Sequence, residues 1–439
     1  MKAKRKISPF QMILIGFSAA ILFGACLLSL PFSAKNREWT NFFDALFTST
    51  SAVCVTGLVV VDTATHFSFF GQTVLLLLIQ IGGMGVITLA CALALLSGRK
   101  IGLFGRDVVK ESISAPSVGG VIKLTLFVLK GIFLVELVGA LVMLPVFCRD
   151  FGWQGVWMSF FHSVSAFCNA GFDIMGGTGQ SSLSYYQNQP LINITIMLLI
   201  ITGGIGFLVW SDVCEHKWRL KRYSLQSKVV LLTSALLIVF PSIYFFFGEY
   251  ATQPFKTRLF LSLFQAVTPR TAGFNTANLL TMKEIGLLMT IGLMLIGGSP
   301  GSTAGGMKTT TLAVLFSSAF SVFRRKENAE TMKRRIDDKT VKSAAALFLL
   351  YLVLFSVCGC IISAVENLPL LPCLFETASA IGTVGLSLSL TPSLGAISKI
   401  LLIFLMFFGR VGGLTLLYAA FGQKNIPPSK LPVERITVG

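Results

Sequence analysis

Apolar runs long enough to cross the roughly 30 Å of hydrocarbon in a bilayer recur from one end of the chain to the other. They follow one order four times: a long apolar helix, a short amphipathic segment, a turn containing glycine, then a second long apolar helix. The turns read "SAVCVTGL" (51–58), "SAFCNAGF" (165–172), "VTPRTAGF" (267–274) and "SAIGTVGL" (379–386). Their glycines, Gly57, Gly171, Gly273 and Gly385, recur roughly 100–115 residues apart. Matching segments precede them, "FFDALFTST", "SFFHSV", "SLFQAV" and "CLFETA", the third one residue shorter between Phe264 and its glycine. A second marker, "IGGMG" (81–85), "TGGIG" (202–206), "IGGSPG" (296–301) and "FGRVGG" (408–413), follows each turn glycine by about 24–32 residues.

Two markers in fixed order at near-constant offset indicate fourfold internal repetition. The units are 1–98, 99–215, 216–323 with a broken inner helix at 297–306, and 324–439 with a cytoplasmic tail. The second unit's excess lies in an outer polar loop, "GGTGQSSLSYYQNQ". Each amphipathic segment is too short to cross a bilayer, so it enters and returns on one side. Irregular backbone at that depth must be buried in protein or line a wet cavity. The expected fold is an all-α membrane protein with eight spanning helices. Each repeat supplies an outer helix, a re-entrant pore helix with its filter turn, and an inner helix, in pseudo-fourfold array around one pore.

Composition fits this pattern: 54% of residues are hydrophobic and 13% charged, with a mean hydropathy of +0.78. The net charge of +17 raises the question of nucleic acid, but its placement answers otherwise. About two thirds of the 36 lysines and arginines fall in the N-terminal tail, the linkers Arg99–Lys123, Lys217–Lys228 and Arg324–Lys342, and the C-terminal tail. The opposite loops hold only Lys35, Arg37, Arg149, Lys256, Arg258, Lys283 and Lys399. This positive-inside asymmetry places both termini in the cytoplasm and predicts no nucleic-acid partner. The apolar stretch Phe10–Phe32 outruns the core of a signal peptide and is expected to stay as the first span. None of the nine cysteines forms a zinc-type pair, and with three histidines no metal cluster or disulfide framework is expected.

A ring of backbone carbonyls can replace the hydration shell of an alkali cation. Thr383–Val384–Gly385 reproduces the "TVG" core of a potassium filter, and Val55–Thr56–Gly57 approximates it. Asn169–Ala170–Gly171 and Thr271–Ala272–Gly273 keep the glycine alone, which predicts weaker discrimination among alkali cations than four identical loops give. Any one such glycine is equally consistent with close helix packing. Asp44, Asp173 and Glu376 lie near the outer ends of the short segments, as cation-concentrating carboxylates or ordinary solvated acids.

The third unit's second marker extends into a break formed by Gly297, Gly298, Ser299, Pro300, Gly301, Ser302, Thr303, Ala304, Gly305 and Gly306. A phosphate loop would need Lys directly after glycine, behind a strand; here Met307 intervenes and the flanks are spanning helices. Counting from Ile285, the break begins about 18 Å into the membrane; counting from Ala396, Arg410 lies at about 21 Å. Arg410 replaces the second glycine of the marker, and a mid-membrane charge usually faces a cavity or partner. The expectation is a loop across the pore, held by Arg410 through carbonyls freed by the break. A static buttressing arginine is the alternative. Lys308, at the lower rim, is expected to snorkel to the cytoplasm.

Two other functional classes stand beside a cation pathway. A sodium- or proton-coupled symporter also uses broken helices, but Glu136 is the clearest mid-membrane acid and reads as a structural contact. An enzyme is not expected: His162 beside Ser163 and Ser165 is the best nucleophile–base grouping, and it is weak.

Together the four units, "TVGLS", "TAGFN", "GGSPGSTAGG" and the late arginine resemble the Trk/Ktr/HKT potassium transporter superfamily, most of all the bacterial Ktr-type membrane subunit. The resemblance spans essentially the whole chain. It implies potassium uptake across the bacterial plasma membrane by a homodimer with one pore per protomer. It also implies control by a cytoplasmic RCK-type nucleotide-binding ring, often with sodium stimulation. No covalent cofactor is implied; the resemblance implies potassium as the ion bound by this chain, with sodium as a candidate second ion, and nucleotide on the partner subunit. The filter glycines would be Gly57, Gly171, Gly273 and Gly385, the gating loop 297–306 and its partner Arg410. "RRKENAETMKRR" (324–335) suits either protein docking or anionic lipid head groups.

Overall fold

A computed structural model describes residues 8–86, 88, 103–112, 120–176, 182–413, 415 and 416. The basic tails (Lys2, Lys4, Arg5, Lys6, Lys424, Lys430, Arg435), Arg99, Lys100, Cys91 and part of the outer loop of the second unit lie outside these residues.

Among the described residues, four helices are long and apolar enough to cross a membrane: α1 (Pro9–Ser29), α5 (Val121–Phe151), α9 (the span Leu225–Glu249) and α13 (Asp338–Glu366). Local chemistry sets their ends. Ser8 and Gln11 form a capping box in front of Pro9, at 3.1 and 3.2 Å. Ser224 Oγ caps α9, and Asn367 closes α13 in the left-handed region at φ 54°.

Each long helix packs on the short helix that follows it: α2 (Phe42–Val53), α6 (Gln154–Phe167), α10 (Phe255–Val267) and α14 (Leu370–Gly382). One phenylalanine anchors each short helix. Phe47, Phe161, Phe264 and Phe375 are all essentially inaccessible, as are Leu58, Phe172, Phe274 and Leu386 just after the turn glycines. Large apolar side chains on both sides of each turn thus fasten its otherwise irregular backbone in the core.

The second helices are shorter or interrupted: α3 (Phe69–Met84), α7 (Pro190–Gly204) with α8 (Phe207–His216), α11 (Glu284–Leu295) with α12 (Thr309–Phe323), and α15 (Ala396–Val411). Length and composition therefore give four spans, or five with α7 and α8, bent by 98°, counted as one. Among the described residues, glycine marks each interruption. A residue at positive φ sits at each break, Gly85 (81°), Gly206 (97°), Gly301 and Gly306 (65° and 66°) and Gly412 (90°). The sequence pattern places a break in the third unit only; here all four second helices are interrupted. The amphipathic α4 (Leu103–Ser112) lies between α3 and α5 in the chain. One departure from an all-helical fold is a small antiparallel hairpin, Glu330–Thr331 with Arg334–Arg335, turned by Met332 and Lys333 at positive φ.

Candidate functional site

The four turns share a backbone conformation that the glycines alone did not announce. The residue two before each glycine is also left-handed: Val55 (57°), Asn169 (59°), Thr271 (70°) and Thr383 (52°). Thr56, Ala170, Ala272 and Val384 between them are not. Alternating hand turns successive carbonyls to one side instead of opposite sides. For β-branched residues this costs about 1–3 kcal/mol each, and such strain persists only where surroundings over-determine it.

Those surroundings include hydroxyls that the sequence pattern does not single out. Thr56 N, Ala170 N and Val384 N donate to the carbonyls of Ser51, Ser165 and Ser379, each at 2.8 Å. Gly57 N and Gly385 N donate to the hydroxyls of Ser51 and Ser379 at 3.0 Å. Ser165 Oγ instead donates to Phe172 O at 2.7 Å, and Thr268 Oγ1 to Phe274 O at 2.5 Å. The available signal was a hydroxyl residue five or six positions before every turn glycine.

The turns close into a ring in chain order. A Cβ placed on Gly57 would lie 2.4 Å from Ala170 O, on Gly171 2.6 Å from Ala272 O, on Gly273 2.2 Å from Val384 O, and on Gly385 2.2 Å from Thr56 O. Each carbonyl oxygen therefore abuts the glycine of the neighbouring turn, and no side chain fits at any of the four positions. On the outer side a cavity of about 180 Å³ is lined by all four glycines together with Asp62 and Asp173. Of the three acids expected there, Asp173 alone takes part. Asp44 pairs with Lys399 at 3.5 Å, and Glu376 is buried, accepting from Leu388 N (3.1 Å) and Thr391 Oγ1 (2.8 Å). Asp62, not foreseen, caps a short turn after the first ring segment.

The second marker now has a physical meaning in three units. A Cβ on Gly82, Gly203 or Gly409 would meet the carbonyl of Val53, Phe167 or Ile381 at 2.1, 2.0 and 2.2 Å. Glycine lets each second helix lie directly on the end of its short helix, and the helix breaks just beyond.

Residues 297–306 form a loop tied at its neck, Gly297 N to Met307 O at 2.7 Å and Thr309 N to Gly298 O at 3.0 Å. Its backbone pairs with groups freed by the other breaks: Ser299 N with Gly204 O (2.9 Å), Phe207 N with Gly301 O (2.7 Å) and Gly306 N with Gly409 O (3.1 Å). Arg410 donates to Thr303 O in the loop, and to Gly82 O and Gly83 O (the latter at 3.1 Å) in the first unit. The loop touches the inner end of the ring. Thr303 Oγ1 donates to Phe167 O at 3.1 Å, and a Cβ on Gly305 would lie 2.2 Å from Thr383 Oγ1. A second cavity of about 290 Å³, lined by Arg410, Lys308 and the loop, shares no residue with the outer one. Lys308 does not snorkel outward: its ammonium turns onto Ala304 O (2.8 Å) and Gly305 O (3.4 Å), because the unwound loop offers carbonyls that bulk water would otherwise supply.

The remaining polar residues take structural contacts. Glu136 accepts from Gln80 Nε2 at 3.2 Å. His162 Nδ1 lies 2.7 Å from Met158 O, while Ser163 and Ser165 donate to backbone carbonyls. The eight cysteines among the described residues are free.

Residues 24–426 match the TrkH family model, described as a cation transport protein. The potassium/sodium uptake protein NtpJ of Enterococcus hirae is 40% identical across 100% of this chain and 99% of its own length. The Ktr system potassium uptake protein B of Bacillus subtilis is 40% identical, covering 96% of this chain and 95% of that one. The crystal structure of the potassium transporter TrkH from Vibrio parahaemolyticus shares the fold, with a TM-score of 0.74 at 18% identity, over 95% of this chain and 86% of that one. On the family match, the full-length relatives and its apolar spans, this chain belongs to the TrkH family of cation transport proteins and is a multi-pass membrane protein.

Proposed function

We propose that this protein takes up potassium across the bacterial plasma membrane through the ring of four turns, with the 297–306 loop as its gate. The observation that carries this reading is the closed cycle of carbonyls, each against the neighbouring glycine. A dehydrating cation needs such oxygens, and only a backbone lining leaves room for it. The filter is assigned to residues 55–57, 169–171, 271–273 and 383–385. The proposal includes four homologous units at 1–98, 99–215, 216–323 and 324–439, with eight crossings once interrupted helices are counted whole. The basic linkers support cytoplasmic termini. A homodimer, control by an RCK-type nucleotide-binding ring and sodium stimulation follow from likeness to Ktr systems, the Bacillus subtilis member of which is named for potassium uptake.

The helix breaks also suit a carrier with a midplane site, and that second reading predicts fixed ion coupling. Tracer rubidium uptake into a potassium-starved host, with and without a sodium or proton gradient, separates the two. Saturable uptake that persists without the gradient supports the pore, and obligatory one-to-one coupling supports the carrier. In the same assay Ser379→Ala, which strips Gly385 N–H of its acceptor, is expected to raise the KM about threefold to tenfold, from a hydrogen bond worth about 0.5–1.5 kcal/mol. An unchanged KM would show that the hydroxyl does not hold the turn.

A further inference from the structure

The third turn is built unlike the others. It is one residue shorter, and Gly273 N reaches only a shared acceptor, Thr268 O, at 3.4 Å. Where the other turns carry Cys54, Cys168 and Gly382, it carries Arg270, which is 6% exposed. Arg270 Nη2 donates to Ser234 Oγ on α9 at 3.0 Å, its Nε has no partner among the described residues, and no carboxylate pairs with it there. A guanidinium buried against a single hydroxyl is a net cost to stability. Arg270 therefore calls for a role other than holding the fold together.

The ring's side-chain ties point to that role. Asn169, with its amide oxygen accepting from Thr271 Oγ1 at 3.1 Å, donates to Ala166 O (3.2 Å) and Ile200 O (3.3 Å), linking the second turn to the third. Across the ring, Thr56 Oγ1 and Thr383 Oγ1 are buried without hydrogen-bond partners among the described residues. The second turn is thus tied by side chains to the third, and the third through Arg270 to α9, whereas the first and fourth turns are held from within by Ser51 and Ser379. A carbonyl ring discriminates against a smaller cation only as far as it resists closing onto it. We infer that Arg270, braced on Ser234, is a specificity-determining positioning residue that keeps the short third turn from collapsing onto sodium. The inference rests on the potassium-filter reading.

The test is rubidium uptake with sodium as competitor, with each variant's membrane amount measured. Arg270→Gln and Ser234→Ala are each expected to make sodium about tenfold more effective as a competitor, with maximal rubidium rate within about threefold of the parent, and Arg270→Lys to fall between. Ser234→Ala decides the matter if Arg270→Gln fails to reach the membrane, since it leaves the arginine in place. Unchanged sodium competition in a normally inserted Ser234→Ala overturns the inference, as does a fall in maximal rate alone. Gly385→Ala serves as the reference: if it too leaves sodium competition unchanged, the filter reading fails; if only Gly385→Ala alters it, the filter reading stands and the role of Arg270 does not.

Discussion

Replacing Arg410 with glutamine is expected to raise maximal potassium uptake by about 30- to 100-fold on the proposed gating role of the loop, because this side chain ties the loop to the first unit. Arg410 links Thr303 O in the loop to Gly82 O and Gly83 O in the first unit. Hydrogen bonds from a charged donor contribute about 1.5–3 kcal/mol each, and part of that is regained when water reaches the freed carbonyls. A net loss of about 2–3 kcal/mol from the closed state gives the stated rise, at tenfold per about 1.4 kcal/mol. Tracer uptake at equal membrane abundance measures it. A protein shortened by removal of residues 299–304 should show the same rise by another route. Unchanged flux in both would make Arg410 a static buttress and remove the loop from gating.

Gly385→Ala is expected to raise the KM for potassium at least about tenfold and to erode discrimination against sodium. The new Cβ would meet Thr56 O at 2.2 Å, on a residue whose φ of 95° suits glycine. Strain of about 1–3 kcal/mol adds to the displaced carbonyl. Gly57→Ser, with its Cβ 2.4 Å from Ala170 O, should behave alike because the ring is continuous. Concentration-dependent rubidium uptake gives the KM, and parent-like values in both variants would place the ion elsewhere.

Much of this arrangement was legible because the constraints act locally. A glycine that must adopt positive φ beside another carbonyl has no substitute, so Gly57, Gly171, Gly273 and Gly385 stand out along the chain. The phenylalanines that seat the short helices recur in register with them. Arg410 was found from cost, since a charge at that depth needs partners. What stayed hidden depends on long-range geometry. The left-handed Val55, Thr271 and Thr383 have no local signature, since β-branched residues ordinarily avoid that region; Asn169 alone is of a type that enters it readily. The breaks after Gly82, Gly203 and Gly409 look like ordinary close-packing glycines until Arg410 bonds the freed carbonyls of the first and the loop those of the other two. Lys308 bonds the Ala304 and Gly305 carbonyls because the unwinding of the loop frees them within its reach. Asp62 joined the outer cavity only through the folding of the segment after the first turn.

On the proposed reading, main-chain oxygens from four turns strip and hold a monovalent ion on one axis. Anomalous diffraction from crystals grown in rubidium tests it most directly. The account predicts rubidium peaks within coordination distance of carbonyls from residues 55–57, 169–171, 271–273 and 383–385. Rubidium bound elsewhere in the protein, with none inside that ring, would contradict it.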